Sequence, residues 1–262
     1  MEGSIIYEKK DNFEYIKIKE LEKYKNLECM FSLKPHDFKK KEDNFKEIEE
    51  KYNNLCKSFG VKGFVVPKQT HSINVKEVES ASGLWPLNMQ NVDALVTNKK
   101  GIMTSLVFAD CMPVGFYDPV KNVIANVHSG WKGTLNGIIS ETLKFMNERF
   151  NSKNEDIVCI IGPTIRACHF EVQDDVRSMF YEKYKYLDNI NEIIKLGRKE
   201  NDVQKYNIDA TLLNKTIMKN LGIKEENIID INICTVCEND KFHSYRKEKE
   251  NSGRFTCIMY LK

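Results

Sequence analysis

Three short stretches place a histidine or a cysteine at the end of an apolar run, next to small or polar residues. They contain His71 in PKQTHSINV, Cys111 in FADCMPVGFYDP and His128 in NVHSGWKGT. Two imidazoles and one thiolate suit a borderline-soft divalent metal, and three protein ligands leave zinc a fourth position for water or substrate. The separations of 40 (111 − 71) and 17 (128 − 111) residues are typical of an open site assembled by a fold. A histidine at a strand end is more often structural, so the residue types alone leave both interpretations open.

A copper centre is the alternative for the same three residues. Two histidines and one cysteine are also the equatorial ligands of a blue-copper site, with Met103 or Met112 as a weak axial ligand. A multicopper oxidase needs many more imidazoles, and the chain has five histidines. Once His71 and His128 are used, the remaining three are scattered: His36, His169 and His243. We therefore favour zinc, one ion per chain, over copper.

The elements that must position these residues are strands and helices in mixed order. Apolar or alternating runs predict strands at residues 14–21, 27–33, 63–78, 92–98, 101–119, 122–130, 156–163, 228–237 and at the C-terminal end. Helical periodicity predicts helices at residues 38–58, from residue 134 onward, at 175–187 and at 209–222. Asp209 is the expected N-cap of the last helix and Gly222 its C-terminal stop. This order predicts one mixed α/β domain with reactive residues at strand ends.

Length and composition are those of an ordinary globular protein. The chain has 262 residues, 41% of them hydrophobic and 30% charged, with a net charge of +2. This length buries a substantial core, and the charge balance gives no reason to expect nucleic acid or a membrane as a partner. The sequence shows no basic N-terminal flank followed by an apolar run, and no apolar run as long as a membrane span. We therefore expect a cytoplasmic protein with eight reduced cysteines.

Cys234 and Cys237 form a C-x-x-C pair. Such a pair is typical of zinc sites and of redox-active sites, and two pairs at a suitable spacing would form a zinc site. The sequence has no second pair of this type. We therefore interpret Cys234 and Cys237 as structural residues.

A series of motifs, in order over residues 64–256, resembles the bacterial YfiH family. The motifs are KQTHS, VDALVT, ADCMPVGFYD, NVHSGWKGT, IGPTI, FEV, and finally CTVC with FHSYR and GRF. The family has been described as multicopper polyphenol oxidase, as peptidoglycan editing factor and as purine nucleoside phosphorylase. The resemblance implies a single α/β (α+β) domain over residues 1–262, a layered mixed β-sandwich flanked by helices, distantly similar to the catalytic domain of cytotoxic necrotizing factor toxins. It also implies one zinc ion bound by His71, Cys111 and His128.

The sequence departs from the family pattern at two places. Where the family usually has TRxGG, this chain reads FSLKPHDFKK, so a loop at residues 32–39 that could contact substrate is altered. After IGP the family often has paired cysteines, and this chain has Ala167, Cys168 and His169. We therefore assign no catalytic role to Cys168.

The resemblance implies a zinc enzyme acting on purine nucleosides. The expected reactions are phosphorolysis of adenosine, inosine or guanosine type nucleosides, including methylthioadenosine, and hydrolytic deamination of adenosine. Zinc lowers the pKa of bound water to about 7, and zinc deaminases use a nearby carboxylate to carry the proton. Neighbours on a strand point to opposite faces, so Asp110 beside the metal cysteine is interpreted as structural and Asp93 as the proton carrier. The expected catalytic set is His71, Cys111, His128 and Asp93.

Five further residues are expected to contact substrate. Phosphorolysis needs an anion site, for which Lys132, Arg166 and Arg246 supply positive charge. Gln69 and His243, both within the motifs, complete the set as hydrogen-bonding residues. The expected partners are a purine nucleoside and phosphate, and the expected state is a monomer or weak homodimer. The alternatives are a copper-dependent polyphenol oxidoreductase (laccase), a hydrolase that edits peptidoglycan precursors, and a binding module with a closed four-ligand zinc.

Overall fold

Two β-sheets packed face to face form the centre of the structure, a computed structural model that describes residues 3–41 and 43–262. The first sheet has, in spatial order, the strands β1 (Ile5–Lys10), β2 (Phe13–Ile18), β3 (Leu27–Ser32), β16 (Phe255–Leu261), β8 (Ile102–Phe108), β4 (Gly63–Val66) and β6 (Gly83–Leu84). The second has β15 (Ile228–Asp230), β11 (Val158–Ile161), β9 (Met112–Asp118), β10 (Val123–Ser129), β7 (Ala94–Thr97) and β5 (Val75–Glu77). Both sheets mix parallel and antiparallel pairs.

The central strands are buried on both faces, which explains their continuous apolar runs. Every residue of β9, β10 and β16 is buried. A strand that is covered on both sides has little need of polar residues, so its sequence loses the alternation of a half-exposed strand. Gly115 permits the close approach of the sheets, because a Cβ atom there would lie 2.9 Å from the Met259 sulfur.

Helices cover the outer faces of the sandwich. Their bounds are α1 (Phe45–Phe59), α2 (Trp131–Asn136), α3 (Ile138–Phe150), α4 (Asp174–Tyr184), α5 (Ile190–Ile193), α6 (Ala210–Asn220) and α7 (Tyr245–Glu248). The buried side of α1 packs on the first sheet, whereas α3, α4 and α6 pack on the second. In the described ranges, no helix is both long enough and apolar enough to cross a membrane. The predicted fold class, a layered mixed β-sandwich flanked by helices, is confirmed.

Three local predictions can be compared directly with the elements. The Asp209 carboxylate caps α6 by accepting the Leu212 N–H at 2.8 Å, and Gly222 has φ +94° just beyond the helix, as predicted. The predicted helix at residues 38–58 begins later, at Phe45. Phe38 is buried instead, because its ring packs against Tyr52 and its N–H donates to the Arg254 carbonyl.

A third sheet was not expected from the sequence. It consists of β12 (Glu171–Val172), β14 (Val203–Ile208) and β13 (Ile194–Glu200), with all neighbours antiparallel. Strand β13 has several exposed charged side chains and lacks a buried face. Its sequence therefore lacks the apolar alternation that would have predicted a strand.

Candidate metal centre and substrate cavity

His71, Cys111 and His128 come together where strands of the sandwich end. Cys111 lies in the turn at residues 109–111 that takes the chain from β8 in the first sheet to β9 in the second. His128 is the penultimate residue of β10 and is paired with Pro113 of β9. His71 lies in the loop between β4 and β5, with φ +63°. The ligand atoms of the three side chains lie within 4.8 Å of one another.

The spacing of these side chains fits a tetrahedral metal. The Cys111 sulfur lies 3.6 Å from His71 Nε2. Zinc bonds of about 2.3 Å to sulfur and about 2.0 Å to nitrogen place such ligand atoms about 3.6 Å apart in a tetrahedron. The distance between Cys111 and His71 therefore fits a shared metal ion, and the ligand atom of His128 lies within 4.8 Å of both.

Asp93 orients both histidines from behind the cluster. The Nδ1–H of His128 donates to Asp93 Oδ1 at 2.8 Å, which directs Nε2 of the same ring toward the cluster. The carboxylate also accepts the backbone N–H groups of Thr70, His71 and Ser72 at 3.2, 3.1 and 2.7 Å, and the Ser72 hydroxyl at 2.7 Å. Burial raises the pKa of Asp93, but the hydrogen bonds from His128 and Ser72 outweigh it and hold the pKa below its ordinary value. Asp93 therefore fixes the left-handed loop at His71 and the ring of His128 together.

Cys111 and His128 shift each other's pKa toward the charged form. Burial raises the pKa of the Cys111 thiol, but the His128 and His71 imidazoles outweigh it and lower the pKa to about 6. Burial lowers the pKa of His128, but the Cys111 thiolate and the Asp93 carboxylate outweigh it and raise the pKa to about 9. These shifts favour the thiolate of Cys111, which is the form that binds a metal ion.

The three residues line a cavity of about 610 Å³. This volume is in the range of sites that enclose small organic ligands. Apolar and aromatic side chains form much of its wall, among them Trp131, Ile165, Phe170 and Tyr245. A flat heteroaromatic ligand could pack against these side chains while a polar group reaches the cluster.

Three cationic side chains also line the cavity: Arg246, Lys249 and Arg254. The Arg246 guanidinium donates to the carbonyls of His169 and Glu171, and that of Arg254 to the carbonyls of its own loop. In the part of the chain that the structure describes, none of the three forms an ion pair with a carboxylate. The cavity wall therefore has an excess of positive charge, suited to an anionic ligand.

The sequence of the chain is similar to that of one protein family and to relatives named purine nucleoside phosphorylase. A family model described as multi-copper polyphenol oxidoreductase laccase matches residues 34–262. The chain belongs to this family, the YfiH family. A purine nucleoside phosphorylase of Clostridium acetobutylicum is 35% identical over 223 residues, which are 84% of this chain and 86% of that protein. Purine nucleoside phosphorylase YlmD of Bacillus subtilis is 30% identical over 207 residues, 77% of this chain and 72% of the relative.

Solved structures of the YfiH family share the fold. A crystal structure of the hypothetical protein YfiH of Bacillus licheniformis has a TM-score of 0.82 at 23% identity, over 95% of this chain and 96% of that one. A crystal structure of YlmD from Geobacillus stearothermophilus has a TM-score of 0.81 at 19% identity, over 99% of this chain and 100% of that one. The layered sandwich is thus the fold of this family.

Two of the five residues expected to contact substrate line the cavity of this YfiH-family member, Gln69 and Arg246. The Gln69 amide is paired with both backbone groups of Val107, at 2.9 Å each. This pairing attaches the loop of His71 to strand β8. Gln69 therefore has a positioning role in addition to its place on the cavity wall.

Lys132, Arg166 and His243 lie elsewhere and do not line the cavity. Lys132 is exposed, with its ammonium 5.5 Å from the centre of the Trp131 ring. The Arg166 guanidinium binds the Asp230 carboxylate through two nitrogens, at 2.6 and 3.0 Å. His243 is buried and donates from Nε2 to the His36 carbonyl. We therefore leave these three residues out of the proposed substrate site.

The two aspartates have positions opposite to those expected. Asp93 is fully buried and does not line the cavity, whereas Asp110 does. Strand alternation does not apply to Asp110 and Cys111, because both lie in the turn after β8 and Asp110 has φ +78°. The Asp110 carboxylate accepts the Arg246 N–H at 2.5 Å and the Thr235 hydroxyl at 2.7 Å. The Asp93 carboxylate therefore supports the cluster from behind, whereas Asp110 lies on the cavity wall with both carboxylate oxygens hydrogen-bonded.

The altered loop at residues 32–39 supports the cavity without lining it. Asp37 Oδ1 accepts the backbone N–H of Arg254 at 2.8 Å, and the Phe38 N–H donates to the Arg254 carbonyl at 2.9 Å. The loop therefore sets the position of Arg254. The sequence did not predict that Arg254 and Lys249 line the cavity. Arginine is scarce, with six in the chain, so an arginine within the GRF motif was the available signal for Arg254.

Gly130 keeps space for the cluster. A Cβ atom at this position would lie 2.6 Å from His71 Cδ2 and 3.2 Å from the Cys111 sulfur. We expect Gly130→Ala to displace both side chains and to weaken metal binding about 10-fold, as measured by competition with a chelating dye. Gly133→Ala is the matched control, because its Cβ would make only ordinary contacts of 3.4 Å or more. Equal metal affinity in the two variants would contradict this role of Gly130.

Proposed function

We propose that the protein catalyses the phosphorolysis of purine nucleosides in this cavity. The observation that carries the proposal is that one cavity of about 610 Å³ has on its wall both the His-Cys-His cluster and three cations that form no ion pair with a carboxylate among the described residues. The similarity to proteins named purine nucleoside phosphorylase, at 35% and 30% identity, supports the same reaction. The substrates would be a purine nucleoside and inorganic phosphate.

Zinc is the metal that we propose for His71, Cys111 and His128. One thiolate and two imidazoles are ligands that zinc accepts. Among the residues that the structure describes, the cluster includes no carboxylate, the harder ligand that magnesium and calcium prefer. Three ligands that face a cavity leave a position open on the metal. A zinc ion bound there would supply Lewis acidity to a ligand in the cavity.

The chain's own residues would bind and orient the two substrates. Arg246, Lys249 and Arg254 attract phosphate and hold it by charge-assisted hydrogen bonds. Trp131 and Phe170 provide apolar surface for the purine. In the reaction a phosphate oxygen bonds to C1′ of the ribose while the bond from C1′ to the purine nitrogen breaks. The electron pair of that bond leaves with the base, and the base gains the proton that the phosphate loses. The products are the purine and ribose 1-phosphate.

Deamination of adenosine is a second reaction that we propose for the same cavity. It is favoured by the position of Asp110, a carboxylate on the cavity wall next to the metal ligand Cys111. Zinc deaminases use such a carboxylate to move a proton between water and the leaving ammonia. Asp110 would therefore carry the proton, the role that the sequence predicts for Asp93.

The geometry gives little support to a multicopper oxidase. Two of the five histidines belong to the His-Cys-His cluster, and two others are engaged elsewhere: His36 Nε2 accepts the Glu14 N–H, and His243 Nε2 donates to the His36 carbonyl. Too few imidazoles remain for a set of several copper ions. The domain boundaries, the monomeric or weakly dimeric state and the cytoplasmic location stay predictions.

The proposal is tested by incubating the purified protein with inosine, with and without phosphate, and measuring hypoxanthine and ribose 1-phosphate. We expect both products to form in equal amounts only when phosphate is present. Ammonia release from adenosine without phosphate, followed in parallel, tests deamination. Hypoxanthine release that does not depend on phosphate would indicate a hydrolase, and no release from any purine nucleoside would contradict the proposal.

Arg254→Gln is expected to raise the KM for phosphate about 10-fold or more, with a smaller change in the KM for inosine. The variant loses a charge-assisted hydrogen bond, which contributes about 1.5–3 kcal/mol. Arg149→Gln is the matched control, because Arg149 pairs with Glu77 on the surface, with its side chain 56% exposed. Steady-state kinetics with varied phosphate give the result. An unchanged KM for phosphate in Arg254→Gln would remove Arg254 from the phosphate site.

A further inference from the structure

A second group of metal-ligating side chains lies behind the cavity wall. Cys168 and His169 lie in the turn that follows β11, and Cys234 and Cys237 lie in the turn that follows β15. Strands β11 and β15 are parallel neighbours in the second sheet, so their carboxyl ends lead into the same region. The fold thereby joins the C-x-x-C pair to a Cys-His pair 66 residues upstream.

The four side chains converge on one point. The Cys168 sulfur lies 3.6 Å from that of Cys234 and 4.0 Å from that of Cys237. His169 Nδ1 lies 3.1, 3.6 and 3.6 Å from the sulfurs of Cys168, Cys234 and Cys237. In a tetrahedral zinc site, two sulfurs lie about 3.8 Å apart, and a sulfur and a nitrogen about 3.6 Å apart. The observed distances match both values, apart from the shorter one between adjacent residues.

We propose that Cys168, His169, Cys234 and Cys237 bind a second metal ion, zinc, in a closed tetrahedral site. Three thiolates and one imidazole select a borderline-soft metal and exclude magnesium and calcium, which prefer oxygen. Four protein ligands fill the coordination sphere of zinc, so this site is structural.

A disulfide accounts less well for the same residues. A metal would use all four side chains. A disulfide uses two sulfurs held about 2.05 Å apart, so it would leave one cysteine and the histidine without a role. The sulfurs are free thiols here, and the imidazole nitrogen of His169 faces all three of them.

The second site fixes the wall of the substrate cavity. Thr235, between the two cysteines of the C-x-x-C pair, donates its hydroxyl to Asp110 Oδ1 at 2.7 Å. The carbonyl of His169 accepts a hydrogen bond from the Arg246 guanidinium at 2.6 Å. A metal that holds the turns of Thr235 and His169 together would therefore hold Asp110 and Arg246 in place.

Metal content of the full chain tests this proposal. Protein purified under reducing conditions with zinc supplied is expected to contain two zinc ions per chain. Cys237→Ser and Cys168→Ser are each expected to contain one, Cys111→Ser also one, and the Cys111→Ser/Cys237→Ser double variant none. Cys56→Ser, a substitution outside both clusters, is the matched control and should retain two. Elemental analysis gives the counts, and circular dichroism confirms that each variant is folded.

Cobalt substitution of the wild-type protein gives a second measurement, one that does not require the variants to fold. Two cobalt ions per chain are expected, and the site with three thiolates should show the stronger thiolate-to-cobalt charge-transfer absorption. A wild-type chain that binds one metal, keeps it in Cys237→Ser and loses it in Cys111→Ser would overturn the proposal. The metal count does not depend on nucleoside turnover, so its outcome is separate from that of the proposed phosphorolysis.

Discussion

Cys111→Ser is expected to lower nucleoside phosphorolysis by at least about 100-fold and to remove the metal from the substrate cavity. Loss of an outer hydrogen-bonding partner of a metal ligand costs 10–100-fold in affinity or activity, and a ligand itself contributes at least as much. The serine hydroxyl stays protonated at neutral pH, whereas the pKa of the Cys111 thiol is lowered to about 6 by the histidines that surround it. The variant therefore loses both the soft ligand and its negative charge.

The measurement combines zinc content with turnover of inosine and phosphate. Cys56→Ser serves as the control, because Cys56 undergoes the same atomic change on α1, far from the ligands in sequence and in neither cluster. The control is expected to retain both zinc and turnover. If Cys111→Ser kept wild-type zinc content and full activity, Cys111 would not be a ligand of a catalytic metal.

Asp93→Asn is expected to weaken metal binding about 10–100-fold and to lower turnover to a similar extent. An asparagine can accept hydrogen bonds at one oxygen only. Asp93 Oδ2 accepts the N–H groups of Thr70 and Ser72, and an amide nitrogen in its place would face these donors. Buried donors left without an acceptor cost about 1–3 kcal/mol each, so the loop of His71 would move. Zinc competition, turnover and urea unfolding measure these effects.

Asp118→Asn separates this effect from a general loss of stability. Asp118 is also a fully buried aspartate, and its Oδ1 accepts the N–H groups of Val120 and Lys121 in the turn after β9. We expect its replacement to lower the free energy of unfolding without changing zinc affinity. If Asp93→Asn and Asp118→Asn lowered stability equally and neither changed zinc affinity, Asp93 would have no role in orienting the metal ligands.

The sequence by itself determined the central strands and the three residues of the His-Cys-His cluster. Apolar runs such as that of β10 predict strands because both of their faces are covered, and this property is local to the run. His71, Cys111 and His128 stand out in the sequence because each interrupts or ends such a run. The structure brings these three side chains together.

Side-chain direction in turns was decided only by the tertiary structure. Strand alternation predicts a structural role for Asp110, because neighbours on a strand point to opposite faces. The turn after β8 breaks this alternation, since Asp110 has φ +78°, and both Asp110 and Cys111 line the cavity. Asp93 is also an aspartate, but it lies on the side of His128 that faces away from the cavity. A backbone with positive φ at a non-glycine residue depends on contacts that the local sequence does not show.

The choice among the cations was also made by the fold. Lys132, Arg166 and Arg246 are equivalent in the sequence as motif residues with positive charge. Only Arg246 lines the cavity, because Arg166 is bound by Asp230, which is 64 residues away, and Lys132 points to solvent. Arg254 reaches the cavity because the altered loop holds its backbone. An ion pair between distant residues leaves no local pattern in the sequence.

The second group of potential metal ligands, at residues 168, 169, 234 and 237, could not be predicted from the sequence for a similar reason. The C-x-x-C pair of Cys234 and Cys237 lacks a second pair of its type, and its partners are the adjacent residues Cys168 and His169. They meet because β11 and β15 are parallel neighbours, so that the turns after both strands lie at one edge of the sheet. Residue types and local periodicity are properties of a segment and can be found in the sequence. The pairing of strands that are far apart in the chain results from the packing of the whole sheet, and it alone determines which turns meet.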